Sequence, residues 1–267
     1  MPLTVVTWNI NSVRLRLEQV MRVLDEVRPD LIALQETKCI EAAFPSAAFH
    51  EHGYVHGAVT CQKGYHGVAT YSRLPLARVE RFRFGGKDDA RHVAVTLGEG
   101  AAAGVTLHNF YVPAGGDIPD PAVNEKFAHK LAFLDELKAW SGATPPSRSI
   151  LVGDLNVAPL DCDVWSHRQL LDVVSHTPAE TERMQAILAA GGWCDTTRRH
   201  RPPPEPVFTW WSYRNRDWKA SNRGRRLDHI WVSGDLAERS GPVEVKQATR
   251  DWERPSDHVP VILRLDP

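Results

Sequence analysis

Ile150-Leu151-Val152-Gly153-Asp154-Leu155-Asn156 is a short apolar run that stops at a carboxylate and, two residues later, a carboxamide. An apolar run of about four to six residues closed in this way reads as a strand, and strand ends are where α/β proteins keep their chemistry. The same form recurs. Leu3-Thr4-Val5-Val6-Thr7-Trp8 runs into Asn9-Ile10-Asn11, and Leu31-Ile32-Ala33-Leu34 runs into Gln35-Glu36-Thr37-Lys38. Near the end, Pro255-Ser256-Asp257-His258 leads into another apolar stretch at Val259. Four scattered clusters therefore carry acids, amides or a histidine at strand ends.

Between them, strand signals alternate with helical ones. Val13, Leu17, Val20, Leu24 and Val27 recur at three-to-four spacing and predict an amphipathic helix over 13–27 that stops before Pro29. Phe127, Leu131, Leu134 and Leu137 mark a second helix. Thr177-Pro178-Ala179-Glu180, a capping box with proline at the first helical position, opens a third that closes at Gly191-Gly192. Further strands are read over 31–35, 105–112, 149–156, 227–233 and 259–265, with hairpin-like material between Gly67 and Val95. The proline-rich breaks at 144–147 and 201–206 read as loops rather than linkers, because strand-like segments follow closely. There is no short-period repeat. The expected architecture is a single domain of residues 1–267, built from two similar α/β layers that face one another.

Composition agrees with that size. The 267 residues are 42% hydrophobic and 24% charged, ordinary for a soluble globular enzyme. No basic and apolar leader precedes Leu3, and no apolar run approaches roughly 18 residues, so a cytoplasmic protein without membrane spans is expected. Cys39, Cys61, Cys162 and Cys194 stand singly, which favours reduced structural thiols over a disulfide framework or a zinc site. Any metal should be bound by oxygen.

A net charge of -1 argues mildly against a nucleic-acid partner, but its distribution matters more than its sum. Arg198, Arg199, His200 and Arg201 form one basic cluster, and Arg214, Arg216, Lys219, Arg223, Arg225 and Arg226 form another. Such runs are often solvated faces. Here Phe208, Trp210, Trp211, Tyr213 and Trp218 lie in or beside the second cluster, and aromatic side chains beside cations are a nucleic-acid surface feature, although core packing claims some of them.

Each strand-end cluster also has a plain reading. Glu36 can be a solvated strand end, Asp154 a turn former, Asn156 a helix cap, Ser256-Asp257 a capping pair, and Asp228 a partner for Arg226. Taken together those readings weaken, because several acids and amides gathered at strand ends without a function would be costly to bury.

Trp8-Asn9-Ile10-Asn11-Ser12-Val13-Arg14, Leu34-Gln35-Glu36-Thr37-Lys38, Asn109-Phe110-Tyr111-Val112-Pro113, Gly153-Asp154-Leu155-Asn156, Arg226-Leu227-Asp228 and Ser256-Asp257-His258 resemble, in order, the motifs of the exonuclease III family of abasic-site endonucleases, within the endonuclease/exonuclease/phosphatase superfamily. The resemblance covers nearly the whole chain. It implies a DNase I-like four-layer α/β sandwich, two facing mixed β-sheets flanked by helices, with a site at one edge of the sheets. It further implies a Mg²⁺-dependent DNA phosphodiesterase of base-excision repair, with Mn²⁺ as a substitute ion. Its partner would be double-stranded DNA carrying abasic sites or 3′ ends, and a monomer is expected.

Residue by residue, the resemblance makes Glu36 the principal metal ligand, joined by Asn9 and Asp257, with Asp154 and Asn156 also at the metal. A sparse oxygen shell of this kind leaves room for water and a phosphate oxygen. Asp154 would deprotonate the attacking water or bind a second ion, and Asn156 would donate to a non-bridging oxygen. His258 would contact the phosphate with Asp228 fixing its tautomer, and Tyr111 would sit at the leaving-group side. Asn11, Arg14, Lys38, Trp210, Trp211, Arg214 and Arg225 would meet DNA, with Trp211 as the ring against the extruded sugar. The base, Asp154 or His258, and the ion count, one or two, stay open at this stage. Three positions depart from the pattern. Ala114 stands where an amide is usual, Ser12 where glycine is common, and Arg225 where abasic-site pockets are often apolar. A superfamily enzyme acting on lipid or inositol phosphates is the alternative, though it would not require an arginine- and tryptophan-rich loop at 208–226.

Overall fold

The apolar runs pair into two six-stranded sheets, seen in a computed structural model that describes residues 2–64, 66–143, 146–215 and 217–267. In chain order the strands are β1 (Leu3–Asn9), β2 (Leu31–Gln35), β3 (His56–Thr60), β4 (Val68–Ser72), β5 (Leu76–Glu80), β6 (His92–Leu97), β7 (Thr106–Tyr111), β8 (Ser149–Asp154), β9 (Trp193–Asp195), β10 (Trp210–Trp211), β11 (Gly224–Arg225), β12 (Asp228–Ser233), β13 (Glu244–Val245) and β14 (Val261–Leu265). The α-helices are α1 (Leu17–Val27), α2 (Ser46–Glu51), α3 (Glu125–Ala143), α4 (His167–Leu170), α5 (Pro178–Gly191), α6 (Thr196–His200) and α7 (Trp218–Ser221). One sheet runs β13-β14-β1-β2-β4-β3 and the other β5-β6-β7-β8-β12-β9, while β10 and β11 form a separate ribbon. The parallel neighbours are β1 with β2 and β7 with β8.

Alternation along the strands explains the four layers. In β1, Val5 points between the sheets and Val6 points outward; in β8, Ile150 and Val152 point inward and Leu151 outward; in β12, Ile230 and Val232 point inward and Trp231 outward. Both faces are therefore apolar, which is why these strands read as continuous runs rather than as alternating ones. The outward face of the first sheet is covered by Val20, Val23 and Leu24 of α1, and that of the second by Phe133, Leu134 and Leu137 of α3 with Met184 and Ile187 of α5. Each fully buried aliphatic side chain of this kind contributes about 1.5–3 kcal/mol. The two-sheet α/β sandwich flanked by helices is the architecture that the sequence predicts.

Element boundaries differ in places. The first helix begins at Leu17 rather than Val13, because the backbone before it is already committed: Ser12 N–H donates to Glu36 O (2.8 Å) and Val13 N–H to Thr37 O (3.2 Å). Asn11 and Ser12 take left-handed φ values of 47° and 87°, which a helix start cannot use. The strand material between Gly67 and Val95 is split between layers, with β4 in the first sheet and β5 and β6 pairing in the second. Thr144 and Pro145 of the predicted break at 144–147, and Arg216 of the basic cluster, lie outside the described residues. Among the described residues, no helix is long and apolar enough to cross a membrane.

Candidate active site

Strand direction gathers the acids. The parallel pairs β1/β2 and β7/β8 end at the same edge, and antiparallel β12 and β14 begin there, so Asp228 sits in register with Asp154 and Tyr111 with Asp154. Asn9 joins the two sheets: its Nδ2 donates to Glu36 Oε1 (2.9 Å) and to Asp154 Oδ2 (2.8 Å), and its Oδ1 accepts from Asn11 N–H (3.1 Å). Tyr111 donates its hydroxyl to Glu36 Oε1 (2.9 Å), while Lys38 pairs with Glu36 Oε2 (2.8 Å). Burial, then the charges of Glu36 and Asp154, push the Tyr111 hydroxyl well above its ordinary range, so it stays protonated.

Backbone strain clusters here. Glu36, Lys38, Asn11 and Asn156 are all left-handed, with φ between 47° and 53°. Such conformations cost about 1–3 kcal/mol each and persist only where surrounding bonds over-determine them. The pairings of Thr37 N–H with Gly67 O (3.1 Å) and Lys38 N–H with His66 O (3.0 Å) do so for the 36–38 turn. At Gly153 (φ 138°) a Cβ would lie 1.9 Å from Phe110 O, so only glycine lets β8 pass β7 just before Asp154.

Asp154 is buried and held by Asn9, by Asn156 N–H (Oδ1, 3.0 Å) and by Asn156 Nδ2 (Oδ2, 3.1 Å). Burial raises its carboxyl to about 7; His258 opposes that rise and Asp228 adds to it. His258 is fixed by Nδ1, 2.8 Å from Asp228 Oδ2, and its Nε2 faces Asp154 Oδ2 at 3.7 Å. Burial disfavours charge on this imidazole, but Asp228 first and Asp154 second outweigh it and raise its pKa to about 10. His258 is therefore cationic near neutrality. Asp257 accepts from Trp210 Nε1 (2.9 Å) and Asn11 Nδ2 (3.1 Å). Burial would raise its carboxyl, yet His258, Trp210 and Asn11 together lower it.

Above these groups lies a cleft of about 570 Å³, whose lining includes Ala114, Trp165, Trp210, Arg214, Arg223 and Arg225. Of the two tryptophans it is Trp210, not Trp211, that borders the cleft. Trp211 has no exposed surface; it packs with Phe208 and Val259, and its Nε1 donates to Asn222 Oδ1 (3.2 Å), so its ring cannot meet a sugar. Trp210 is the ring on the cleft. Arg225 is stacked 5.3 Å over that ring and donates to Val174 O (3.0 Å) and Ser175 Oγ (2.7 Å), which makes this wall cationic. Arg14 is exposed in a separate groove with Gln19 and Arg22, away from the cleft. The amide nitrogen of Asn156 is already spent on Val112 O (2.9 Å) and Asp154, so here it positions the acid rather than facing solvent with a free donor. Asp228 does not pair with Arg226, which turns instead to Asp163 and Asp195.

Several supporting residues escaped sequence reasoning. Thr209 donates to Asp228 Oδ2 (2.6 Å) while accepting from Leu227 N–H (3.0 Å) and Asp228 N–H (3.1 Å). Trp8 Nε1 donates to His258 O (3.0 Å), and Ser256 Oγ to Asn9 O (2.7 Å). Lys130, completely buried, ion-pairs with Glu180 and donates to Asn156 O (2.8 Å), so it braces the loop beneath Asp154. One signal was available: a lysine on the apolar face marked by Phe127, Leu131 and Leu134 needs a buried partner.

Comparison with known proteins bears on this site. A profile of the Endonuclease/Exonuclease/phosphatase family matches residues 6–258. The chain is 31% identical over 265 residues to exodeoxyribonuclease III of Haemophilus influenzae, covering 96% of this chain and 97% of that protein. Its structure superposes on an AP endonuclease from Archaeoglobus fulgidus with a TM-score of 0.90 at 33% identity, over 99% of this chain and 100% of that one. It also superposes on the 3′-5′ exonuclease NExo from Neisseria meningitidis with a TM-score of 0.88 at 32% identity, over 99% and 100% of the two chains.

Proposed function

The chain belongs to the endonuclease/exonuclease/phosphatase family, and from that premise we propose that it cleaves DNA 5′ to abasic sites, removes blocking groups from 3′ ends and acts as a 3′→5′ exonuclease, using Mg²⁺ or, in its place, Mn²⁺. It is a nuclease, a hydrolase of phosphodiester bonds; the lipid- or inositol-phosphate alternative is not supported, since its similar proteins are exodeoxyribonuclease III and AP endonuclease. The observation that carries the finer reading is the convergence of Glu36, Asp154, Tyr111 and the Asp228–His258 pair at the floor of a cleft walled by Trp210, Arg214, Arg223 and Arg225. We further propose a single domain, in line with a family match that spans residues 6–258, acting as a monomer in the cytoplasm.

Glu36, Asp257 and the Asn9 carboxamide would hold the ion, an oxygen set suited to a hard dication. The fit is supported by the chemistry of the donor set: Glu36 and Asp257 both line the cleft, and Asn9 lies against Glu36 (2.9 Å). When bound, the ion supplies positive charge for the phosphate and acidifies water. Asp154 takes the proton of the attacking water, since its carboxyl near 7 suits a general base at neutral pH. His258, already protonated, stabilises charge on the phosphate through Nε2 and is the poorer base for that reason. Tyr111 keeps a hydrogen to give toward the leaving oxygen.

Arg225 favours the 3′-end branch of this activity. A guanidinium stacked on Trp210 offers a phosphate-binding wall where a bare sugar would meet an apolar one. The test is a side-by-side time course on duplex with one abasic site, duplex with a 3′-phosphate and undamaged duplex, in Mg²⁺ and in EDTA. Incision 5′ to the abasic site that stops in EDTA is expected, with Arg225→Leu slowing 3′-phosphate release more than incision. Failure to cut abasic DNA at all, with undamaged ends still digested, would leave only the exonuclease.

A further inference from the structure

We propose that Asp161, His167 and His176 form a second metal site, for a borderline transition ion of the Zn²⁺ class, that staples the wall of the DNA cleft. The three side chains offer ligand atoms within 4.8 Å of one another, from a 3-10 turn (Asp161–Asp163), the start of α4 and the residue before the Thr177 cap of α5. His176 is buried, and its Nδ1 lies 2.7 Å from Ala158 O, an atom that can only accept. The hydrogen therefore resides on Nδ1. Nε2 is left with a free lone pair, aimed at His167 Nδ1 at 2.8 Å. That same His167 nitrogen lies 3.1 Å from Asp161 Oδ1. Without an ion, one hydrogen on His167 Nδ1 is shared between a nitrogen and a carboxylate oxygen. A dication replacing that hydrogen meets two imidazole nitrogens and a carboxylate, with a fourth position open to water.

A backbone carbonyl on the far nitrogen is the usual device that fixes the tautomer of a ligating histidine. Imidazole donors favour Zn²⁺, Co²⁺ or Ni²⁺ over Mg²⁺, so this site and the oxygen-lined site at Glu36 would take different ions from one solution. This departs from the expectation that any metal here is bound by oxygen alone. Geometry needs little change: zinc–nitrogen bonds of about 2.0–2.1 Å require the two nitrogens to separate slightly, and His167, 41% exposed at its side chain on a one-turn helix, can move outward. The consequence lies in the cleft. Trp165, Val173, Val174 and Ser175, which line it, fall between Asp161 and His176, so an ion at the three ligands would tie both ends of that wall together.

Zinc uptake is measured by titration calorimetry with millimolar Mg²⁺ present to occupy the oxygen site, in parallel with thermal melts. The wild-type chain should bind one Zn²⁺ more than His167→Ala, and Zn²⁺ should raise the melting temperature of the wild type but not of the variant. Asp161 is largely solvent-facing and His167 is partly exposed on a one-turn helix, so His167→Ala and Asp161→Asn should melt near the metal-free wild type, with Asp161→Asn weakening zinc affinity at least about tenfold. No zinc uptake by the wild type, or equal uptake and equal thermal stabilisation in His167→Ala, would overturn the site.

Discussion

Arg226 and Asp228 stand two residues apart yet belong to opposite kinds of charge network. Arg226 is completely buried, donating to Asp163 Oδ2 (3.0 Å) and to Asp195 Oδ2 (2.8 Å), and Arg198 also pairs with Asp163. Two carboxylates answer two guanidiniums. Burial would raise the Asp163 carboxyl, but Arg226 and then Arg198 bring it below its ordinary value. On the other side of Leu227, Asp228 joins Glu36, Asp154 and Asp257, and those four acids are faced by Lys38 and His258. The balanced network anchors the start of β12; the unbalanced one keeps a deficit of positive charge at the floor of the cleft. A buried pair is worth little as net stability but breaking it is expensive, whereas an excess of acid is a standing cost that a dication relieves.

The largest expected effect is on the balanced side. Arg226→Met should destabilise the fold by about 3–5 kcal/mol, because Asp163 and Asp195 would be left buried with too little positive charge. In thermal melts that is a drop of roughly 6–20 °C for a chain of this size. A drop of under about 2 °C would mean that solvent or rearrangement compensates, and the two networks would then not differ in kind. Next comes the unbalanced side, with the opposite signature. Glu36→Gln should lower activity about 10²-fold at millimolar Mg²⁺ while leaving the melting temperature unchanged or higher, since it removes one of the surplus charges. Excess Mn²⁺ should restore part of the rate. A melting temperature that falls as far as that of Arg226→Met would make Glu36 structural.

The same contrast decides how much was legible in the sequence. Strand-end acids with their neighbours, such as Gln35-Glu36-Thr37 and Gly153-Asp154-Leu155-Asn156, announce themselves because an apolar run stops at a charge. Both sheets follow from those runs. What could not be read is which partner an acid chooses. Arg226 is the nearest cation in sequence to Asp228 but does not pair with it, because it lies before β12 in a segment whose backbone N–H donates to Asp163 O (2.8 Å), and its guanidinium turns to Asp163 and Asp195. The Trp210-Trp211 order failed for a related reason: adjacent residues of a two-residue strand face opposite ways, and nothing local says which face is the cleft. Lys130 and Thr209 act across more than a dozen residues, a distance at which pattern gives no register.

Acid titration should separate the two networks by sign. Asp154 is held at about 7 against an ordinary value of 3.8, so between those values the folded chain binds a proton here that the unfolded chain has lost. Its contribution to stability is complete below the ordinary value and is lost as pH rises through about 7, at up to about 1.4 kcal/mol per pH unit. Asp163 runs the other way: its lowered carboxyl contributes above the ordinary value, and that contribution is lost as pH falls through the folded one. Asp154→Asn removes the first trend and keeps the second. Relative to the wild type, the variant should gain about 1–3 kcal/mol between about pH 4 and pH 7 in urea melts. A pH-independent difference would mean that Asp154 is ionised throughout.

The smallest effect concerns the two basic clusters, which divide along the same line. The first is consumed by the fold: Arg198 pairs with Asp163, Arg199 with Glu238 (2.6 Å), Arg201 with Glu205 (3.8 Å), and His200 contacts Ser240 O (2.8 Å). In the second, Arg214 and Arg223 are exposed at the cleft, and among the described residues neither forms an ion pair with an acid. A cation already matched to a carboxylate has no charge to spare for phosphate, so within the second cluster Arg214 and Arg223 should enter the salt dependence of DNA binding, whereas Lys219, paired with Asp251, and Arg226, buried against Asp163 and Asp195, should not. Each neutralised phosphate contributes about -0.9 to the slope of log affinity against log salt. Arg214→Ala should flatten that slope by about one unit, and Arg199→Ala should leave it unchanged, despite the overall charge of -1. Undamaged duplex is the right ligand for this measurement, because extrusion of a damaged nucleotide adds contacts that do not depend on salt. If Arg199→Ala flattened the slope as much as Arg214→Ala, DNA would lie across α6 as well as the cleft, and the Arg199–Glu238 pair would be an exposed contact that phosphate displaces.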